Sequence, residues 1–161
     1  MSLDKVYKNI LDISQATLTG KPMIVGGIPR DMYLNNLSNT DVDLTTNNAD
    51  CPRLGITLAS SMGYNFKMFE DGHVSVYTDV GVLDFSGNFI SEKAVDFAGS
   101  EYNEGRKEMY EVYSRDFTMN TLHKDLLSEE LVDITGLAVK DLDKKIVRTI
   151  VSPEICFEDD L

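Results

Sequence analysis

The run Ile24-Val25-Gly26-Gly27-Ile28-Pro29-Arg30-Asp31 is followed ten residues later by Asp41-Val42-Asp43. It constrains the chain more than any other stretch. Three apolar residues ending in two glycines describe a short buried strand that must turn sharply. Pro29 suits the first turn of a helix, because its missing N–H costs nothing there. A polar loop then leads to a second strand with carboxylates at positions i and i+2, which project from one face. A turn of the kind that lets a phosphate approach backbone amides therefore lies close in sequence to paired carboxylates, which suit a divalent cation. The pattern points to metal-assisted chemistry on a nucleotide.

The remaining periodicities predict an α+β order. A helix is expected over 3–16, with Leu3, Val6, Ile10, Leu11 and Ile13 near one face and Ser2 as a cap. Gly20-Lys21-Pro22 breaks the chain before a strand at 23–25. A helix over 28–36 and a strand over 41–46 follow, then a helix over 52–62 opened by Pro52 and closed near Gly63. Short strands are expected at 64–69, 73–78 and 82–85, the first two joined at Asp71-Gly72. Residues 90–110 read as a polar loop, 114–121 as a short helix, 130–134 and 145–150 as strands, and Pro153 as the start of a final helix. The order lacks the regular alternation of a doubly wound fold. There is no internal repeat, and 161 residues make one domain, 1–161.

A net charge of −12 argues against a broad nucleic-acid grip, which needs clustered Lys and Arg. It leaves room for a compact nucleotide site whose phosphates are neutralised by metal. No apolar run reaches the roughly 18–20 residues that span a bilayer, and Met1 to Lys5 do not begin a secretory signal. The expectation is a cytoplasmic protein with no membrane association, in which Cys51 and Cys156 remain thiols.

Each chemical candidate also has a plain alternative. Gly26-Gly27 can be a simple turn, with Arg30 one helical turn on reaching the same phosphate. Asp31 is read as the partner of a nearby arginine. Asp41 and Asp43 repel one another unless something positive lies between them, or else lie on a solvated strand. Asp84, in the apolar strand Val82-Leu83-Asp84-Phe85, is either on an exposed face or completes a carboxylate triad. Arg115 is a candidate for triphosphate or ribose, and Asp116 for a helix-terminal carboxylate or a ligand to the sugar. His73 reads as exposed, and His123 as lying at a strand start. Neither has a metal-ligand spacing.

Together these segments resemble the class II nucleotidyltransferases, the family of CCA-adding enzymes and bacterial poly(A) polymerases. Its Gly-Gly-x-x-Arg-Asp signature matches Gly26, Gly27, Arg30 and Asp31, and its Asp-x-Asp matches Asp41 and Asp43. Its third carboxylate matches Asp84. Glu104-Gly105-Arg106 is similar to its flexible-loop Asp-Gly-Arg. Ser114-Arg115-Asp116-Phe117-Thr118-Met119-Asn120 is similar to its Arg-Arg-Asp-Phe-Thr-x-Asn. Val132-Asp133, Gly136, Asp141-Leu142 and Ile146 to Thr149 follow the family's run towards its neck.

The resemblance implies a polymerase-β-like head, a mixed sheet flanked by helices. It implies a Mg²⁺-dependent enzyme, with two ions, adding nucleotides from ATP or CTP to a tRNA 3′ end and releasing pyrophosphate. Asp41, Asp43 and Asp84 would be catalytic, with Asp41 and Asp43 holding Mg²⁺. Gly26, Gly27, Arg30, Arg115, Asp116 and Asn120 would bind the nucleotide. Ser114 replaces the first arginine of its motif, which is expected to weaken nucleotide binding, and Pro29 replaces a usual valine. Residues 153–161 would begin the neck, so RNA contacts are expected from a neck and body outside this chain. The alternative is a catalytically incomplete nucleotide-binding module, or transfer to another acceptor.

Overall fold

The computed structural model describes residues 2–36, 41–87 and 112–157. Helix α1 (Leu3–Thr17) buries Val6, Ile10 and Ser14, spaced four apart on one face, and pairs Lys8 with Asp12 on the other. Strand β1 (Met23–Val25) is buried throughout, as its unbroken apolar run requires. Helix α2 (Gly27–Tyr33) and strand β2 (Val42–Thr45) follow. Helix α3 (Cys51–Met62) has proline in its first turn and ends on Gly63 in the left-handed conformation, at φ 71°. The hairpin β3 (Asn65–Met68) and β4 (Val74–Thr78) leads into β5 (Gly81–Phe85).

Seven strands form one mixed sheet in the order β3-β4-β5-β2-β1-β6-β7, completed by β6 (Leu122–Asp125) and β7 (Leu131–Asp133). Strand β2 runs antiparallel to β1 and parallel to β5. Alternate residues give the sheet two unlike faces. Ile24, Val42, Leu44, Val74, Val76, Leu83 and Phe85 enter one core with Val6 and Ile10 of α1 and Leu54 and Leu58 of α3. The intervening positions Asp43, Ser75 and Asp84 occupy the other face.

The chain after 111 departs from the sequence expectation. In place of a helix over 114–121, Val112 and Tyr113 are helical, a 3-10 turn spans Thr118–Asn120, and β6 follows, foreshadowed only by the reading of His123 at a strand start. The Phe117 N–H goes to Asp116 Oδ1 and the Thr118 N–H to the Arg148 carbonyl. These are donors that a continuous helix would direct elsewhere. Helix α4 (Ala138–Lys144), absent from the sequence expectation, is ended by Lys145 at φ 55°, and no strand forms over 145–150. Past α4, among the described residues, only the bridge Phe117–Thr149 is sheet-like. The strand expected at 130–134 is β7, and Pro153 opens α5 (Pro153–Cys156).

His73 is half-buried rather than exposed, stacked on Phe69, and His123 is buried in β6. Cys51 and Cys156 are thiols, and burial pushes the Cys51 thiol up to about 12. The expected loop at 90–110, with Glu104 to Arg106, lies outside the described residues, as does Glu158-Asp159. Among the described residues no helix is long and apolar enough to cross a membrane.

Gly55 sets how closely α3 lies on the sheet. A Cβ there would sit 2.6 Å from Phe85 Cδ2 and 3.2 Å from its Cβ. Gly55→Ala is expected to lower stability, because overpacking costs about 1–3 kcal/mol against at most about 1 kcal/mol gained in helix propensity. A reduced urea midpoint with an unchanged slope would check this.

Candidate active site

Strand register brings the acidic residues together. Asp43 and Asp84 are Cα partners across the parallel β2–β5 pair, and Ser75 partners Asp84 across β4–β5. Neighbouring strands lie about 4.8 Å apart, so two aspartates from distant parts of the sequence stand side by side on one face. The Ser75 hydroxyl donates to Asp84 Oδ1. Asp41 is exposed just before β2, two residues from Asp43 and so on the same face.

On the other side of Asp43 lies the glycine turn. Gly26 adopts φ 76° and ψ −134°, a region essentially open to glycine alone. A Cβ on it would stand 2.6 Å from Asp43 Oδ2 and 3.3 Å from Arg115 Nη1. The turn is therefore glycine for two reasons, backbone conformation and close approach to the carboxylate. Arg115 Nη1 lies 4.0 Å from Asp43 Oδ2, placing a guanidinium against the acidic face. Helix α2 has only seven residues, so an anion at this turn would be held by the backbone amides and Arg115 rather than by a long helix dipole.

Arg30 does not point freely into the site. Its Nε and Nη2 reach Asp31 Oδ1 at 2.8 and 2.7 Å, and its Nη1 donates to Asn120 Oδ1 at 2.8 Å. Asn120 Nδ2 donates in turn to Asp116 Oδ1 at 2.8 Å. The pairing expected for Asp31 is thus with its own neighbour, and Arg30 ties α2 to the 3-10 turn. A Cβ on Gly27 would approach Arg30 Nη2 to 3.4 Å. Gly26, Asp43, Arg115 and Asp84 form one cluster, and Gly27, Arg30, Asp116 and Asn120 form the network beside it.

Sequence reasoning missed what stands behind the 115–120 segment. Asp141 on α4 is fully buried. It accepts from Thr118 Oγ1 at 2.8 Å and from Arg148 Nε and Nη2 at 2.8 and 3.1 Å. The Arg148 guanidinium, then the Thr118 hydroxyl, hold the Asp141 carboxyl below its usual 3.8. No local pattern marks this ligation, since the partners lie far apart in sequence. Ser75 did leave a signal: a polar residue between two buried valines belongs to the face opposite the core.

The carboxylates fit a divalent cation of the Mg²⁺ type. Among the described residues, no group of three or more His, Cys, Asp or Glu side chains makes a ready-formed metal cage. Mg²⁺ does not require one, since it is commonly held by one or two carboxylates with water and substrate phosphates completing its shell. Asp41 and Asp43 supply that donor set, with Asp84 alongside.

Residues 22–148 match the model of the poly(A) polymerase head domain. Among solved structures, a tRNA-processing enzyme in an apo form is 23% identical over 98% of this chain and 38% of its own, with a TM-score of 0.73. A tRNA nucleotidyltransferase complexed with a primer tRNA and an incoming ATP analogue is 25% identical over 93% of this chain and 40% of its own, with a TM-score of 0.66. The Thermotoga maritima CCA-adding enzyme complexed with tRNA is 18% identical over 97% of this chain and 34% of its own, with a TM-score of 0.71. Comparison with curated protein sequences gave no match.

Two variants test this geometry. Gly26→Ala is expected to cost about 1–3 kcal/mol from backbone strain in addition to displacing Asp43, read as a lower urea midpoint. Arg148→Gln removes the main support of the Asp141 carboxylate. Because that group's folded pKa is depressed, its stabilisation is present above 3.8 and is lost as pH falls through the lower folded value. The variant is expected to be less stable at neutral pH and to decline less steeply below pH 3.8, as urea midpoints measured across that range would show.

Proposed function

The chain belongs to the poly(A) polymerase head-domain family, and from that premise we propose that it carries the catalytic half of a nucleotidyltransferase adding nucleotides from ATP or CTP to an RNA 3′ end, with tRNA as the acceptor. The observation that carries the reading is the side-by-side placement of Asp43 and Asp84, with the Gly26 turn and Arg115 closing on Asp43. One related structure is a tRNA-processing enzyme with CTP, and another holds primer tRNA with an ATP analogue. Each is matched over 37% and 40% of its own length, so elements that complete the acceptor site would come from a neck and body beyond this chain.

In this reading Asp41 and Asp43 would hold two Mg²⁺ ions together with the triphosphate, and the ions would supply neutralisation of the phosphate charge that develops in an in-line displacement. The chain's own groups do the rest. The Gly26-Gly27 backbone admits the triphosphate close to β1, and Arg115 sets its guanidinium against the phosphates as pyrophosphate leaves. Asp84, oriented by Ser75, faces the attacking 3′-hydroxyl and takes up its proton as the new bond to the α-phosphorus forms and the bond to pyrophosphate breaks. The Arg30–Asn120–Asp116 network keeps the Arg115 segment in register with α2 and lies beside the nucleotide.

The second reading, a nucleotide-binding module that does not turn over, is favoured by one observation: Ser114 stands where the family's motif carries the first of its two arginines. One experiment separates the two. The protein is incubated with labelled ATP and CTP and a tRNA lacking its 3′ end. Extension by wild type that falls at least about 100-fold in Asp43→Ala, equivalent to about 2.7 kcal/mol of barrier, supports the enzyme. Calorimetry showing Mg²⁺-dependent triphosphate binding without extension supports the module. No binding of either triphosphate overturns the site.

A further inference from the structure

The in-line requirement gives the site a direction, and among the described residues Lys67 lies on its far side. If the triphosphate occupies the Gly26 turn and Arg115, which rests on the reading above, pyrophosphate leaves towards β1. The attacking strand must then approach from the opposite half of the sheet, over β5, β4 and β3. Register continues the site row in that direction: Asp43 partners Asp84, Asp84 partners Ser75, and Ser75 partners Lys67 on the edge strand β3. Residues in register share a face, so Lys67 stands two strand spacings, about 10 Å, from Asp84.

Lys67 is exposed, yet it is oriented. Its Nζ lies 4.3 Å from the centroid of the Phe69 ring. That ring stacks on His73 with centroids 4.1 Å apart and planes 10° from parallel. His73 is fixed in turn by Asp71, whose Oδ1 lies 2.5 Å from Nδ1 and accepts the His73 backbone N–H at 3.1 Å. The hairpin therefore holds an ammonium at the end of a row that carries two carboxylates and a serine hydroxyl. In a chain of net charge −12, a cation placed there complements a polyanion better than the surrounding surface does.

We propose that Lys67, set on the Phe69–His73 stack, binds a backbone phosphate of the RNA acceptor strand and guides its 3′-hydroxyl towards Asp84. A phosphate contact carries no sequence information, so it holds the acceptor whatever its bases.

The test uses Lys67→Ala and Lys67→Arg in the whole chain. Binding of a fluorescent single-stranded RNA is followed by anisotropy at several salt concentrations, alongside steady-state transfer. Lys67→Ala is expected to weaken RNA binding several-fold and to reduce the slope of log affinity against log salt by about 0.7, the value for one single-strand phosphate contact. The nucleotide KM should not change, and Lys67→Arg should restore both RNA readouts. An unchanged RNA affinity and salt slope in Lys67→Ala overturns the proposal even if wild type transfers nucleotides. Absence of any RNA binding by wild type also overturns it. A loss shared equally by nucleotide KM and thermal midpoint would assign the cluster to hairpin stability and overturn it too. If RNA binding depends on Lys67 but no transfer occurs, the acceptor contact stands and the catalytic reading falls.

Discussion

The pairing of β2 with β5 is the constraint on which the rest of the site depends. It is a parallel contact between strands distant in sequence, and parallel neighbours need a long crossover. Here α3 and the β3–β4 hairpin supply it, with α3 pressed close to the sheet through Gly55 against Phe85. A shift of one residue in either strand would turn its aspartate towards the core and its apolar neighbour, Leu44 or Phe85, towards water. The apolar face is buried against α1 and α3, so that exchange is strongly disfavoured. The hydrophobic core therefore sets the positions of the carboxylates.

Acidic side chains placed together need compensation, and the molecule arranges it on several sides. Arg115 approaches Asp43 across the space that Gly26 leaves open, and Ser75 donates to Asp84. The segment bearing Arg115 is fastened in front by Arg30 and Asn120 and behind by Asp141 and Arg148. The site face is thus fixed mainly by side-chain hydrogen bonds and charge pairs. The opposite face is fixed by packing. The two kinds of support meet at the strands themselves.

Much of this was legible in the chain. The alternation in Val74-Ser75-Val76 and in Asp41-Val42-Asp43, the glycine pair before Pro29, and the caps of α3 are local signals, and the elements follow them closely. Asp84 stood out as a carboxylate in an apolar strand and Arg115 as a candidate phosphate ligand, and the resemblance matched both to the family's motifs. Legibility failed where backbone donors are satisfied at long range. Residues 114–121 have a helix-compatible composition, but contacts to 148–150 hold them in a turn and a 3-10 turn. Asp141 resembles any acid on an exposed helix until Thr118 and Arg148 close around it.

Residue order alone carries the two-faced strands, the glycine that a positive φ demands and the aspartate spacing that puts Asp41 and Asp43 on one side, because each of these depends on neighbours a few positions away. Tertiary contacts decide which aspartate stands beside which, that Arg30 serves Asp31 and Asn120, and that Lys67 ends the row beginning at Asp43. Those outcomes depend on strand register and on part-buried polar and charged groups finding partners ninety residues away and more, as Arg30 does with Asn120 and Lys21 with Asp125. No local pattern in the chain encodes such distances.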